Sequence, residues 1–245
     1  VDISRVPAPY PYRCPCRGED RTCAVCSGAA LEKRILQEGP ETVAAFIAEP
    51  VTGASGVIVP PAGYYEKVQA ILNKYGILFW ADEVITGFGR LGEDFGCNAM
   101  GIETPDMMSF AKQLSSAYYP ISASLIRGDM YEAIVEQSKK AGAFGHGYTY
   151  SGHPVCAAVA LENLRIMQEE NILDHVQNVA APALQEALNK LGEHPLVGGV
   201  NVSGLMASLP LTPHKEGRAK FASDAGTAGY LCREHCFANN LVMRH

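Results

Sequence analysis

Two side chains in this sequence have the chemistry and the setting to react with a small molecule. Asp82 follows the apolar run Ile77-Leu78-Phe79-Trp80-Ala81, and Lys112 follows Met107-Met108-Ser109-Phe110-Ala111. A carboxylate at the end of a buried run is costly without a cationic or hydrogen-bonding partner. It serves either in a helix N-cap or surface turn, the ordinary fate of such an Asp, or as the partner of a protonated ring nitrogen. Lys112 is flanked by Phe110 and Ala111 on one side and by Gln113-Leu114-Ser115-Ser116 on the other, with no other charge close in sequence. A semi-apolar setting disfavours the ammonium and makes an amine nucleophile or base available, although most lysines are simply solvated.

The elements that must position these groups are legible as alternating patterns. Residues 28–38 carry Ala30, Leu31, Ile35 and Leu36 at helical spacing and stop at Gly39-Pro40. Residues 60–76 repeat the pattern with Val68, Ile71, Leu72 and Tyr75, and Gly76 suits a C-cap. Val43–Ala48, Ile77–Ala81, Met107–Ala111 and residues 121–126 are short apolar runs of the kind that form strands buried on both faces. Strands alternating with amphipathic helices predict an α/β fold, with a mostly parallel sheet flanked by helices. Ligands then bind beyond the carboxyl ends of the strands, where Asp82 and Lys112 both fall. Residues 154–170 and 176–191 predict further helices, and residues 197–209 predict strands of a smaller C-terminal α+β domain. The expected division is 1–157 and 158–245.

Composition narrows the function classes. The formal charge of −6 supplies no basic field for nucleic acid. No apolar run reaches the length of a membrane span, so neither nucleic acid nor membrane is an expected partner. Eight cysteines in 245 residues are too sparse for a secreted disulfide scaffold, and a reducing cytoplasm is expected. Residues 1–27 predict an extended surface segment. Within it, Cys14, Cys16, Cys23 and Cys26 form C-x-C-x6-C-x2-C. The first pair is tighter than usual zinc spacing, so free thiols are expected, with a structural metal as the alternative. His146 and His153 are expected to be structural. The chain begins with Val and ends on 241–245 like a strand cut short, so a fragment is expected.

The local strings carry a specific resemblance. Trp80-Ala81-Asp82-Glu83-Val84-Ile85-Thr86-Gly87-Phe88-Gly89-Arg90 and Thr104-Pro105-Asp106-Met107-Met108-Ser109-Phe110-Ala111-Lys112 resemble the signatures of class III (fold type I) aminotransferases dependent on pyridoxal 5'-phosphate (PLP). Ala48-Glu49-Pro50-Val51, Pro60-Pro61-Ala62-Gly63-Tyr64 and residues 145–154 (GHGYTYSGHP) are similar too, in family order. The resemblance spans roughly residues 28 to 210 and looks nearest to the omega-amino acid:pyruvate branch.

The resemblance implies an enzyme that moves an amino group from an amine or omega-amino acid to a keto acid such as pyruvate. Lys112 would hold the cofactor as a Schiff base and move the proton between the substrate α-carbon and the cofactor. Asp82 would pair with the ring nitrogen, Val84 would pack on a ring face, and Glu83 would lie near the ring hydroxyl or the substrate. Thr149 would reach the phosphate bound by a partner subunit, which implies a homodimer or higher assembly. Glu49 would lie near the substrate pocket, Arg90 would form a structural ion pair, and no metal is implied. Three departures stand against it. Residues 1–27 hold neither the family's phosphate-cradling Gly/Ser motif nor its ring-stacking aromatic. The family's substrate-carboxylate arginine would fall beyond His245, and Asn201 stands where an arginine is common. The alternative is an inactive fragment, or a zinc-stapled interaction module built on the four cysteines.

Overall fold

The computed structural model describes residues 2–14, 16, 23–216, 220–221 and 226–244. Helix α1 (Ala29–Glu38) buries Leu31 and Ile35, one turn apart, and ends at Gly39. Strand β1 (Ala45–Ala48) follows. Helix α2 (Tyr64–Tyr75) buries Tyr64, Tyr65, Val68 and Leu72. It closes in a Schellman motif: Gly76 sits at φ 66°, the Gly76 N–H donates to the Asn73 carbonyl and the Ile77 N–H to that of Leu72. Strand β2 (Leu78–Asp82) starts directly afterwards and turns Phe79 and Ala81 into the core.

Helix α3 (Gly96–Met100), β3 (Met107–Phe110) and β4 (Ala123–Ile126) complete this sheet. Its order is β1-β2-β3-β4, with β1, β2 and β3 parallel and β4 antiparallel to β3. The chain is α/β, as the alternating pattern predicts. The principal core lies between the sheet and α1 and α2, where Leu31, Ile35, Tyr65, Val68, Leu72 and Phe79 pack together. Burying Val68 and Leu72 completely contributes about 1.5–3 kcal/mol each.

The other side of the sheet differs from expectation. Ile47 is 55% exposed and Leu125 54% exposed. Helix α4 (Gly128–Ala141) buries no residue. The apolar runs have the composition of strands covered on both faces, but no described element of this chain covers the second face here.

Helix α5 (Pro154–Glu169) runs unbroken through 157/158, because its Ala-, Leu- and Glu-rich sequence offers no breaker at the expected division. Helix α6 (Ile172–His175), a π-helical turn (Val176–Ala180) and α7 (Ala181–Gly192) follow. The antiparallel pair β5 (Asn201–Ser203) and β6 (Met206–Ser208) and helix α8 (Thr227–Ala238) form the C-terminal α+β portion.

Two further expectations are corrected. Residues 241–244 form no strand; the Leu241 N–H instead donates to the Cys236 carbonyl and closes the end of α8, while His245 lies outside the described residues. Residues 1–27 are not wholly a surface segment. Tyr12, Cys14 and Cys26 are buried, while Val1, Pro15 and residues 17–22 lie outside the described residues.

Candidate active site

The strand register brings Asp82 and Lys112 to one edge of the sheet. Asp82, the last residue of β2, pairs with Ser109 of β3, and Lys112 follows three residues later. Neighbouring strands lie about 4.8 Å apart, so the two groups leave the sheet at adjacent carboxyl ends. A hydrogen bond of 2.8 Å from Trp80 Nε1 to Ser109 Oγ ties the same two strands together. The Val84 N–H donates to Asp82 Oδ1 at 3.0 Å, and Oδ2 has no hydrogen bond among the described residues. Asp82 is half-buried.

Lys112 opens a tight 3₁₀ turn, Lys112–Ser115, with φ 43°. Ser116 and Ala117 also have positive φ, 48° and 61°. Non-glycine residues in this region cost on the order of 1 kcal/mol each and persist where packing enforces them. Here Phe110 and Leu114 are buried on either side of Lys112, against Ala160 of α5, and Phe110 meets Phe88 and Phe95. The backbone is therefore anchored while the lysine side chain is exposed, with no ion pair or hydrogen bond to its ammonium among the described residues. Beside it, Gln113 Oε1 is buried and has no hydrogen-bond partner among the described residues. A bound molecule or water would satisfy that atom.

Glu49, just past the end of β1, shares a cleft of about 320 Å³ with Asp82. Tyr65, Thr52 and the segment Val6–Pro9 form other parts of its wall. The Gly53 N–H donates to Glu49 Oε2 at 2.8 Å. Burial pushes the Glu49 carboxyl above its ordinary pKa, and the charge of Asp82 adds to that, against the Gly53 hydrogen bond. Tyr65 missed notice in the sequence because it reads as core. Its hydroxyl nevertheless donates to the Glu49 carbonyl at 2.6 Å and fixes the turn that carries the carboxylate.

Glu83 does not face the cleft. It is fully buried, and its carboxylate accepts hydrogen bonds from Thr86 Oγ1, the Gly96 N–H and the Cys97 N–H. Alternation along the chain turns it away from Asp82 and onto the start of α3. Val84 is half-buried next to Asp82. Thr149 is exposed in the turn around Tyr148 to Ser151 and does not line the cleft. The Arg90 guanidinium makes no ion pair among the described residues; its carbonyl accepts from the Leu205 N–H at 2.9 Å.

An amine without a partner on one strand end, and a carboxylate with one oxygen available on the next, suit a carbonyl compound that also carries a basic ring nitrogen. Comparisons with known proteins decide which. The aminotransferase class-III family matches residues 1–243. The chain belongs to the class III aminotransferases.

Members of this family use PLP, and the donor set described above fits that cofactor. The chain is 52% identical to a putrescine–pyruvate aminotransferase of Pseudomonas aeruginosa, over 90% of this chain and 47% of the relative. It is 51% identical to gamma aminobutyrate transaminase 3, chloroplastic, of Solanum lycopersicum, over 84% of this chain and 40% of that protein. Among solved structures, the omega transaminase from Pseudomonas jessenii in complex with PMP superposes with a TM-score of 0.92 at 44% identity. That match covers 98% of this chain and 52% of the other. The chain thus spans about half the length of the relatives it matches.

Proposed function

We propose that the protein transfers an amino group from an amine or omega-amino acid to a keto acid such as pyruvate, with Lys112 as the catalytic amine. The observation that supports this reading is the register that pairs Asp82 with Ser109, three residues before Lys112, at the carboxyl ends of adjacent parallel strands. The names of the relatives favour an amine or omega-amino acid as donor and pyruvate as one acceptor. An interaction module built on the cysteines alone is disfavoured, since the family match runs through residues 1–243.

PLP, when bound, supplies an electron sink for the bond that breaks at the substrate α-carbon. Lys112 Nζ would hold the cofactor at its carbonyl carbon and would serve as the base that carries the substrate α-proton. Asp82 would hold a proton on the ring nitrogen through the carboxylate oxygen that Val84 N–H leaves available. Val84 packs against a ring face. Glu83 acts on the site only through α3, and a direct contact to ring or substrate is no part of this reading. Glu49 lines the donor side of the pocket, where its raised pKa reflects a partly dry setting.

Thr149 would reach the phosphate held by a second copy, which makes the active enzyme of this reading a homodimer or larger. The exposure of Tyr148 and Tyr150, 79% and 80%, supports a surface that another copy covers. The large and small domains meet along α5, whose continuous helix spans the 157/158 position read from the sequence. No helix of the described residues is long and apolar enough to cross a membrane. A cytoplasmic location belongs to the same proposal and is supported by eight cysteines that are all free of disulfides.

The test uses the full-length protein. Added PLP should give a visible absorbance band that Lys112→Ala lacks. Pyruvate-dependent consumption of a diamine or omega-amino acid should fall by at least about 10³-fold in that variant. Equal bands and equal rates in the two proteins would overturn the proposal.

A further inference from the structure

The N-terminal cysteines, free of disulfides, converge on one point. The sulfurs of Cys14, Cys16, Cys23 and Cys26 all lie within 4.8 Å of one another. Cys14 Sγ is 3.1 Å from Cys16, 3.2 Å from Cys23 and 3.5 Å from Cys26. Cys16 and Cys26 are 3.3 Å apart. Disulfides would pair the sulfurs off at about 2.05 Å, each with one close neighbour. Here one sulfur approaches the other three, which is the relation among the corners of a tetrahedron.

We propose that Cys14, Cys16, Cys23 and Cys26 bind one zinc ion as a structural Cys₄ site. Zinc–sulfur bonds of about 2.3 Å in a tetrahedron set the sulfurs about 3.8 Å apart, close to the spacing seen. Four thiolates around one centre select zinc or iron–sulfur chemistry. An iron–sulfur cluster inserts several of its own atoms between the cysteine sulfurs, and a group held within 4.8 Å leaves room for a single ion.

The backbone is arranged to present the ligands. The Cys14 N–H donates to the Tyr10 carbonyl, and the Ser27 N–H to that of Cys23, so two hydrogen-bonded turns face each other. The N–H groups of Cys26 and Val25 donate to the Cys23 sulfur, the outer-shell support usual for a metal thiolate. Cys14 and Cys26 are buried. The site is separate from Lys112 and Asp82. It joins the segment that follows Val6–Pro9, a wall of the cleft, to the turn that leads into α1. Its role is to clip that otherwise irregular segment onto the body of the protein, as structural zinc does in small modules.

The experiment is metal analysis of the full chain, purified in reductant without a histidine tag. Mass spectrometry should find about one zinc per chain, and X-ray absorption four sulfurs at about 2.3 Å. A Cys23→Ser/Cys26→Ser variant should lose the metal, and Cys156→Ser should keep it. Should the double variant fail to fold, Co(II) added to chelator-treated wild-type protein should develop the visible bands of tetrahedral thiolate coordination. Stoichiometric iron would overturn the proposal. So would metal below about a tenth of an equivalent together with no Co(II) bands, whether the cysteines are then found as disulfides or as freely alkylated thiols.

Discussion

Asn163, in the middle of α5, donates through Nδ2 to the carbonyl of Gln113 at 2.8 Å, the residue directly after Lys112. The same side chain accepts from Ser116 Oγ at 2.6 Å. One amide thus braces a turn whose backbone is in a sparsely populated conformation at both ends, Lys112 and Ser116. The reactive amine is held by an element that begins more than forty residues later in the chain.

Asn163→Ala leaves the Gln113 carbonyl without that donor and frees the turn to relax. A lost, partly buried hydrogen bond costs about 1–2 kcal/mol of stability. If Asn163 positions Lys112, kcat for pyruvate-dependent amine consumption should fall about tenfold while the amine KM holds, since tenfold is about 1.4 kcal/mol of barrier. Ser116→Ala, which keeps the Gln113 bond, should stay close to wild type. A stability loss with unchanged kcat would make Asn163 a packing residue only.

Glu83→Ala removes one carboxylate that three donors share. Two of these are backbone N–H groups at the start of α3, which the substitution leaves buried without that acceptor. A destabilisation of about 3 kcal/mol or more is expected, read from the denaturant midpoint. Cofactor absorbance at saturating PLP should survive in the fraction that folds. Loss of the absorbance without loss of stability would return Glu83 to the cofactor.

The strand-and-helix alternation was legible because α1 and α2 bury one face at helical spacing and β1, β2 and β3 are short continuous apolar runs. The reactive pair was legible because each group ends such a run. Other features carried no local sign. Glu83 and Asp82 are adjacent acids, and only the pleat decides that one caps α3 while the other lines the cleft. Asn163 is a polar residue on an ordinary helix. Helices α4 and α8 bury no residue, so neither takes part in the core that the apolar runs mark out. The cysteines had their spacing in view, but convergence of four sulfurs is a property of two turns meeting in space.

Glu49 gives a pH signature. Its folded pKa is raised above the ordinary 4.5, first by burial and then by Asp82. The folded state therefore holds the proton more tightly than the unfolded state, and stability from this group is lost as pH rises from 4.5 through the folded pKa. Glu49→Gln should gain stability relative to wild type at neutral pH and gain nothing below about pH 4. Denaturant midpoints across that range measure the difference; a gain that persists unchanged into acid would assign the effect to packing instead.

One contact between the sheet's loops and the C-terminal portion depends on Gly204. That glycine turns β5 into β6 at φ 55°, and a Cβ there would lie 2.4 Å from Leu91 Cα and 2.6 Å from the Arg90 carbonyl oxygen. Both atoms are backbone, so neither can move without shifting the loop that follows Asp82 and Val84. Gly204→Ala should cost about 3 kcal/mol, from a left-handed backbone and a steric clash together. Gly101→Ala is the control: φ is 68° there, but a Cβ would meet nothing within 4 Å, so only the backbone cost of about 1 kcal/mol applies. If the loop also sets the position of Asp82, Gly204→Ala should weaken PLP binding in the folded protein, and Gly101→Ala should not. Equal midpoints for the two variants would mean that the hairpin can withdraw from Leu91 at no cost, and that the two portions are less firmly joined than their contact indicates.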